Sequence, residues 1–188
     1  MDAEFGGPIA GRGDAEHDQA ADGVGQAGPL PDVAIDIGVG DVLQRRAEFA
    51  GRKLAALLKC EPGKHWFLIE AIRRSDEFAA PLGWTEIYVL RKFSGVVKRR
   101  DHGRTPVHEQ IAKMYGETIE YARLEVFARG LPTKLAKPLQ TKPGSPALTM
   151  VRRYYGLREE LFEVTVTTHP EGRYIYTMDM QRSLRPAP

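Results

Sequence analysis

The sequence predicts an α+β fold, a largely antiparallel sheet of about six or seven strands with short helices, and three observations carry that prediction. Segments of strand length alternate apolar and polar residues, most clearly "HWFLIEAIRR" and "FEVTVTTH", as strands do when one face is packed. The links between such segments are short and rich in Gly, Pro and charge, which favours hairpins and therefore antiparallel pairing. Helical spacing is confined to a few brief stretches.

Taken in order, Val42 to Phe49 reads as a strand. Arg52 to Lys59 reads as a short helix with Leu54, Leu57 and Leu58 on one side, broken by "CEPG", because Pro cannot continue a helix and Gly supplies a turn. His65 to Arg74 and Leu82 to Leu90 are two strands of a hairpin whose loop is "RSDEFAAP", and a further loop is expected around Phe93 and "KRRDHGRTP". Val107 to Tyr115 has helical spacing at Val107, Ile111 and Met114 and stops at Gly116. A strand within "TIEYARLEVFARG" follows, then a short helix in "LPTKLAKPLQ" with a Pro-Gly-Ser-Pro exit. Strands Leu148 to Tyr155, Leu161 to Thr168 and Tyr174 to Gln181 end the chain, with the turn "GLREE" between the first two. Hairpin-linked strands with few helices make an α+β fold.

Composition bounds the function classes. At 188 residues, 42% hydrophobic and 28% charged, the chain suits one globular domain with an appendage. Residues 1–32 carry seven acids (Asp2, Glu4, Asp14, Glu16, Asp18, Asp22, Asp32) against Arg12 and are rich in Gly and Ala. They bury too little apolar surface to offset chain entropy, so disorder is expected there. The remaining chain has 26 basic and 18 acidic residues, a charge of +8, which attracts anions without specifying one. No apolar run approaches the roughly 18 to 20 residues of a membrane span, and the N-terminus lacks signal-peptide character. A single cysteine, Cys60, can form no internal disulfide, which fits a reducing compartment. A cytoplasmic protein is expected.

Several chemistries lack their motifs: there is no GxSxG elbow, P-loop, GxGxxG or paired CxxC. His102 and His108 flank "GRTPV" at no recurrent metal spacing and read as loop residues, and Cys60 reads as a small packed side chain. No metal or cofactor is expected. What remains is a set of polar residues planted on strands: Arg73 and Arg74, Thr85 and Glu86, Arg152 and Arg153, and the row Glu163, Thr165, Thr167, His169. The members of that row share one side of a strand, with Val164 and Val166 on the other, and the row is roughly 20 Å long at about 3.3 Å per residue. Such a stripe faces either water or a ligand.

At "LAALLKCEPGKHWFLIEAIRR", "GRTPVHEQIAKMYG", "GSPALTMVRRYYG" and "FEVTVTTHPEGRYIYTMDMQR", in that order, the chain resembles the UTRA domain, the effector-binding module of one branch of GntR-type transcription regulators. The resemblance runs from Asp41 to Arg182. It implies a chorismate-lyase-like fold that binds a small anionic effector, acts as a homodimer, carries no catalytic residues, and meets DNA only through a winged helix-turn-helix domain. Residues 1–40 do not resemble such a domain. The alternative is a chorismate-lyase-like enzyme acting on an aromatic acid.

Carried over position by position, the resemblance makes Arg73 the holder of an anionic group. Ala71 stands where sugar-phosphate-binding members have a second arginine, which disfavours a sugar phosphate. Thr105 opens a helix whose N–H groups favour an anion, Glu86 lies on the second hairpin strand, and Glu163 and His169 lie on the later strand. Gly172 replaces a common Asp before the last strand. The expected ligand-binding set is Arg73, Thr85, Glu86, Thr105, Glu163, Thr165, Thr167 and His169.

Overall fold

A computed structural model describes residues 41–75, 78–98 and 105–178. The segment 1–32, the loop residues Arg99, Arg100 and His102, and the far end of the last expected strand lie outside the described residues. The strands are β1 (Asp41–Phe49), β2 (His65–Ser75), β3 (Phe78–Leu90), β4 (Tyr121–Gly130), β5 (Pro146–Tyr155) and β6 (Leu161–Pro170), and the helices are α1 (Arg52–Leu58), α2 (Ser94–Val97), α3 (Val107–Tyr115) and α4 (Thr133–Ala136).

The six strands form one sheet in the order β1-β2-β3-β6-β5-β4, antiparallel at every join. Two three-stranded meanders, β1-β2-β3 and β4-β5-β6, meet where β3 pairs with β6. The connection holding α2 and α3 carries the chain from the centre of the sheet to its far edge at β4. This is the α+β antiparallel fold that the alternation predicts, with six strands among the described residues.

Three expectations about elements change. The loop expected from Arg74 to Pro81 is shorter, because β3 begins at Phe78 and Ser75 pairs with Phe78. Ala79 and Ala80 carry no alternation signal, so backbone pairing alone decides this stretch. The loop expected around Phe93 is a 3-10 turn, Arg91–Phe93, running into α2. Phe93, Val96 and Val97 are all buried there, and their i, i+3, i+4 spacing is that of a helix face. The strand expected from Tyr174 does not form over residues 174–178. Since β6 is already paired on both sides, the chain leaving it has no adjacent edge to join.

Where α3 ends, Gly116 takes φ +67° and its N–H reaches the Ala112 carbonyl at 3.0 Å, a left-handed cap that glycine adopts without penalty. Val107, Gln110 and Ile111 form the buried side of that helix, whereas Met114, expected beside them, is exposed.

Residues directly opposite each other in adjacent strands share a face of the sheet. One face, here the front, carries the Glu163 row together with Arg73, Thr85, Ile87, Val89, Met150, Arg152 and Tyr154. The back carries Leu68, Glu70, Trp84, Glu86, Val151, Arg153, Val164 and Val166. Helix α1 packs on the back, where the Leu57 carbonyl accepts from Arg153 Nη2 at 2.6 Å. Helix α4 also lies on the back, with Leu135 and Ala136 clustered with Ile72, Trp84, Leu139 and Ala147. Helix α3 lies on the front, where its His108 stacks on Tyr154, and Tyr174 stacks there on His169; β6 is buried along nearly its whole length.

Candidate functional site

Strand β6 settles which way its polar row looks. Glu163 is 1% exposed, Thr167 6% and His169 0%, so these side chains meet protein rather than bulk water. Burying polar groups is costly unless they find partners, and the front face supplies several. The Thr85 and Thr167 hydroxyls stand 3.4 Å apart across the β3-β6 pair. The Thr165 hydroxyl donates to Glu163 Oε1 at 3.2 Å.

His169 is fixed by its backbone partner. Its Nδ1 lies 3.0 Å from the Leu82 carbonyl, and a carbonyl can only accept, so Nδ1 carries the proton. Nε2 is then the lone-pair nitrogen, and it is buried without a hydrogen-bond partner among the described residues. Burial is the main cause that lowers the His169 pKa to about 4, and the charge of Arg73 adds to it against the Leu82 bond. The ring is therefore neutral at physiological pH and presents an acceptor. A glycine makes room for it: a Cβ on Gly83 would sit 2.7 Å from His169 Nδ1 and 3.0 Å from the Thr168 carbonyl.

Arg73 is almost fully buried and stands directly across from Gly83, which places it at the His169 end of the row. Tyr174, on the chain after β6, stacks on His169 with ring centroids 4.2 Å apart and planes at 14°. Burial raises the Tyr174 pKa, with Arg73 and Arg152 pulling it down and Tyr176 adding to the rise. At the Glu163 end, His108 from α3 stacks on Tyr154 at 4.3 Å and brings Nδ1 to 4.0 Å from Glu163 Oε1. Arg152 Nη1 donates to the Tyr154 hydroxyl at 3.2 Å.

Of the residues expected from sequence, Arg73, Thr85, Glu163, Thr165, Thr167 and His169 lie on the front face together. Glu86 does not. Its partner across β3-β6 is Val166, which puts it on the back, where Lys134 of α4 reaches Oε1 at 2.7 Å. Thr105 precedes α3, and its carbonyl accepts from Gln110 Nε2 at 2.8 Å, while the helix N-terminus has no side-chain cap.

Four front-face residues escaped the sequence-based set: His108, Arg152, Tyr154 and Tyr174. The loop reading of His108 is corrected, since it lies on α3 with its side chain 12% exposed. Its place beside Val107 and Ile111 on a helix was the available signal. Arg152 and Arg153 are consecutive on a strand, so one of them had to share the face of the Glu163 row, and pairing of Arg152 with Thr165 makes it Arg152. Among the described residues no group of three His, Cys, Asp or Glu side chains could hold a metal ion.

Comparison with known proteins agrees with this architecture. The UTRA domain model matches residues 40–175. Among solved structures, the C-terminal domain of Yurk from Bacillus subtilis subsp. subtilis str. 168 is similar at a TM-score of 0.66 and 14% identity, covering 75% of this chain and 96% of that one. The effector domain of PhnF from Mycobacterium smegmatis is similar at 0.63 and 15%, covering 76% and 86%. A GntR-family transcriptional regulator from Enterococcus faecalis V583 is similar at 0.60 and 15%, covering 74% and 98%. At these identities the likeness establishes the fold. No curated protein sequence matches the chain.

Proposed function

The chain belongs to the UTRA domain family, and from that premise we propose that it is the effector-binding domain of a GntR-type transcription regulator, sensing a small anionic molecule on the front face of its sheet. The observation that carries this reading is the buried polar row beside Arg73. The burial of Arg73, Thr85, Thr167 and His169 on one face, with His169 Nε2 without a hydrogen-bond partner among the described residues, supports a recognition site there. A guanidinium is permanently charged and forked to suit a carboxylate or phosphate.

The domain acts as a receptor, without catalysis, in the cytoplasm and as a homodimer. DNA is engaged through a winged-helix domain. In support, no helix among the described residues is long and apolar enough to cross a membrane. Incubation with chorismate is expected to yield no 4-hydroxybenzoate.

A thermal-shift screen against carboxylic acids, sugar phosphates and amino-acid metabolites tests the proposal, because a ligand that binds only the folded state raises the melting temperature. Calorimetry with a compound that stabilises the protein should then show Arg73→Ala binding more than about tenfold more weakly, the loss of one charge-assisted bond of roughly 1.5 to 3 kcal/mol. Arg74→Ala is the control. Its exposed guanidinium pairs with the exposed Asp41 at 3.3 Å, and affinity should be unchanged. Equal affinity for wild type and Arg73→Ala would overturn the assignment.

A further inference from the structure

Tyr174 stands on the front face outside every strand and helix. The chain that carries it has no regular structure from 174 to 178. It is anchored just before Tyr174, where Arg173 Nη1 donates to the Pro81 carbonyl at 2.7 Å and the Leu139 carbonyl at 2.6 Å. Beyond that point the anchoring fades: Ile175 is 86% exposed and Met178 61%. Yet the Tyr174 ring lies flat on His169 at 4.2 Å, a buried ring hydrogen-bonded to the Leu82 carbonyl and packed beside Gly83. Arg73 from β2 and Arg152 from β5 stand on the same front face, and both pull the Tyr174 pKa down against the burial that raises it. A planar ring seated face-on against a neutral imidazole, on a face that also carries two cations, is the pose of a bound aromatic acid.

We propose that Tyr174 is an internal stand-in for the effector: the effector has a planar aromatic ring with one acidic group, and displaces Tyr174 from His169 to place that group near Arg73 and Arg152. A carboxylate in place of the phenol hydroxyl exchanges a neutral group for a full charge beside the same guanidinium groups, so the ligand outcompetes the side chain it replaces. The arriving ring keeps the stacking on His169, which a saturated ring of equal charge cannot reproduce. The segment 174–178 is released when the site fills. This rests on the effector-binding reading above.

The test uses the full chain and 4-methylbenzoate, the tyrosine side chain with a carboxylate in place of its hydroxyl, against 4-methylcyclohexanecarboxylate. By calorimetry the aromatic acid should bind wild type and the saturated acid should bind at least about tenfold more weakly. Tyr174→Ala should bind the aromatic acid more tightly than wild type, by roughly tenfold if Tyr174 fills the site nine-tenths of the time, because removing a competitor raises the competent fraction. Hydrogen exchange of residues 174–178 should speed up when the ligand is added. Tighter binding together with faster exchange supports displacement. If Tyr174→Ala binds more weakly and exchange slows, Tyr174 is a wall of the pocket and the proposal falls. If neither aromatic nor saturated acid binds wild type or Tyr174→Ala but another anion from the screen does, with Arg73 required, this proposal falls and the effector-binding reading stands. If no anion of any class binds, both fall.

Discussion

His169 and Gly83 show how much a single position on this face determines. His169 has an ordinary pKa of 6.5 that burial lowers to about 4. Between those values the unfolded chain binds a proton that the folded protein refuses, so stability rises with pH across that window. The neutral ring's contribution is fully present above pH 6.5 and is lost as pH falls towards 4, at most roughly 3 kcal/mol. Urea denaturation at pH 7.0 and 4.5 should show a larger loss for wild type than for His169→Gln, which does not titrate; equal losses would contradict the burial argument. Gly83→Ala is expected to cost about 1 to 3 kcal/mol, because its Cβ meets the held edge of His169 and a backbone carbonyl, neither free to yield. A lower melting temperature, with weaker effector binding, is the expected readout. The alternation that makes His169 part of a row was legible in sequence, but its tautomer was not, since that depends on a carbonyl 87 positions away.

Among the elements, the back face is tied across three of them by Arg153. Its Nη2 donates to the Leu57 carbonyl at the end of α1 and, at 3.2 Å, to Glu125 Oε2 on β4, while Nη1 stands 3.0 Å from Glu125 Oε1 in an ionic contact of poorer hydrogen-bond geometry. The arginine side chain is 1% exposed and the glutamate 43%. Glu125→Ala leaves a buried guanidinium without its counter-ion and should cost about 2 kcal/mol, less than a fully buried pair because water already screens the carboxylate. Chemical denaturation would show this as a lower midpoint with an unchanged slope. Strands and helices with strong periodicity, β2, α3 and β6, were readable from sequence. The start of β3 and helix α2 were not, because Ala79 and Ala80 are silent in any pattern and α2 spans a single turn.

For the whole molecule, charge and sheet edges decide the remaining predictions. The body's +8 gives phosphate attraction that is weak and salt-sensitive, whereas reading a sequence requires an element inserted in a groove. A gel shift at physiological salt should therefore show no sequence-selective binding by this chain. Among the described residues the sheet has two edges, β1 and β4, and β4 exposes Val126 and Phe127. An open apolar edge favours pairing with a second copy. The proposed homodimer predicts light scattering at twice the 21.0 kDa chain mass at tens of micromolar, and a monomer there would refute it.

Period-two alternation and helical spacing are local properties, so the fold class, most of the elements and which residues within one strand share a side can be read along the chain. The family can be read there too, through motifs that occur in order. Whether a side chain of one strand lands on the same face as that of another depends on the register between them, across 80 positions for Glu86 and Val166 and 13 for Arg152 and Thr165, and strand pairing in the folded protein sets it. That is why Glu86 belongs to the back with Lys134 and Arg152 to the front with Thr165. Long-range packing likewise laid His108 on Tyr154, and the path of the chain after β6 folded Tyr174 back on His169 five positions earlier, because stacking partners are chosen by which surfaces come within about 4 to 7 Å, and neither period-two alternation nor helical spacing encodes that distance.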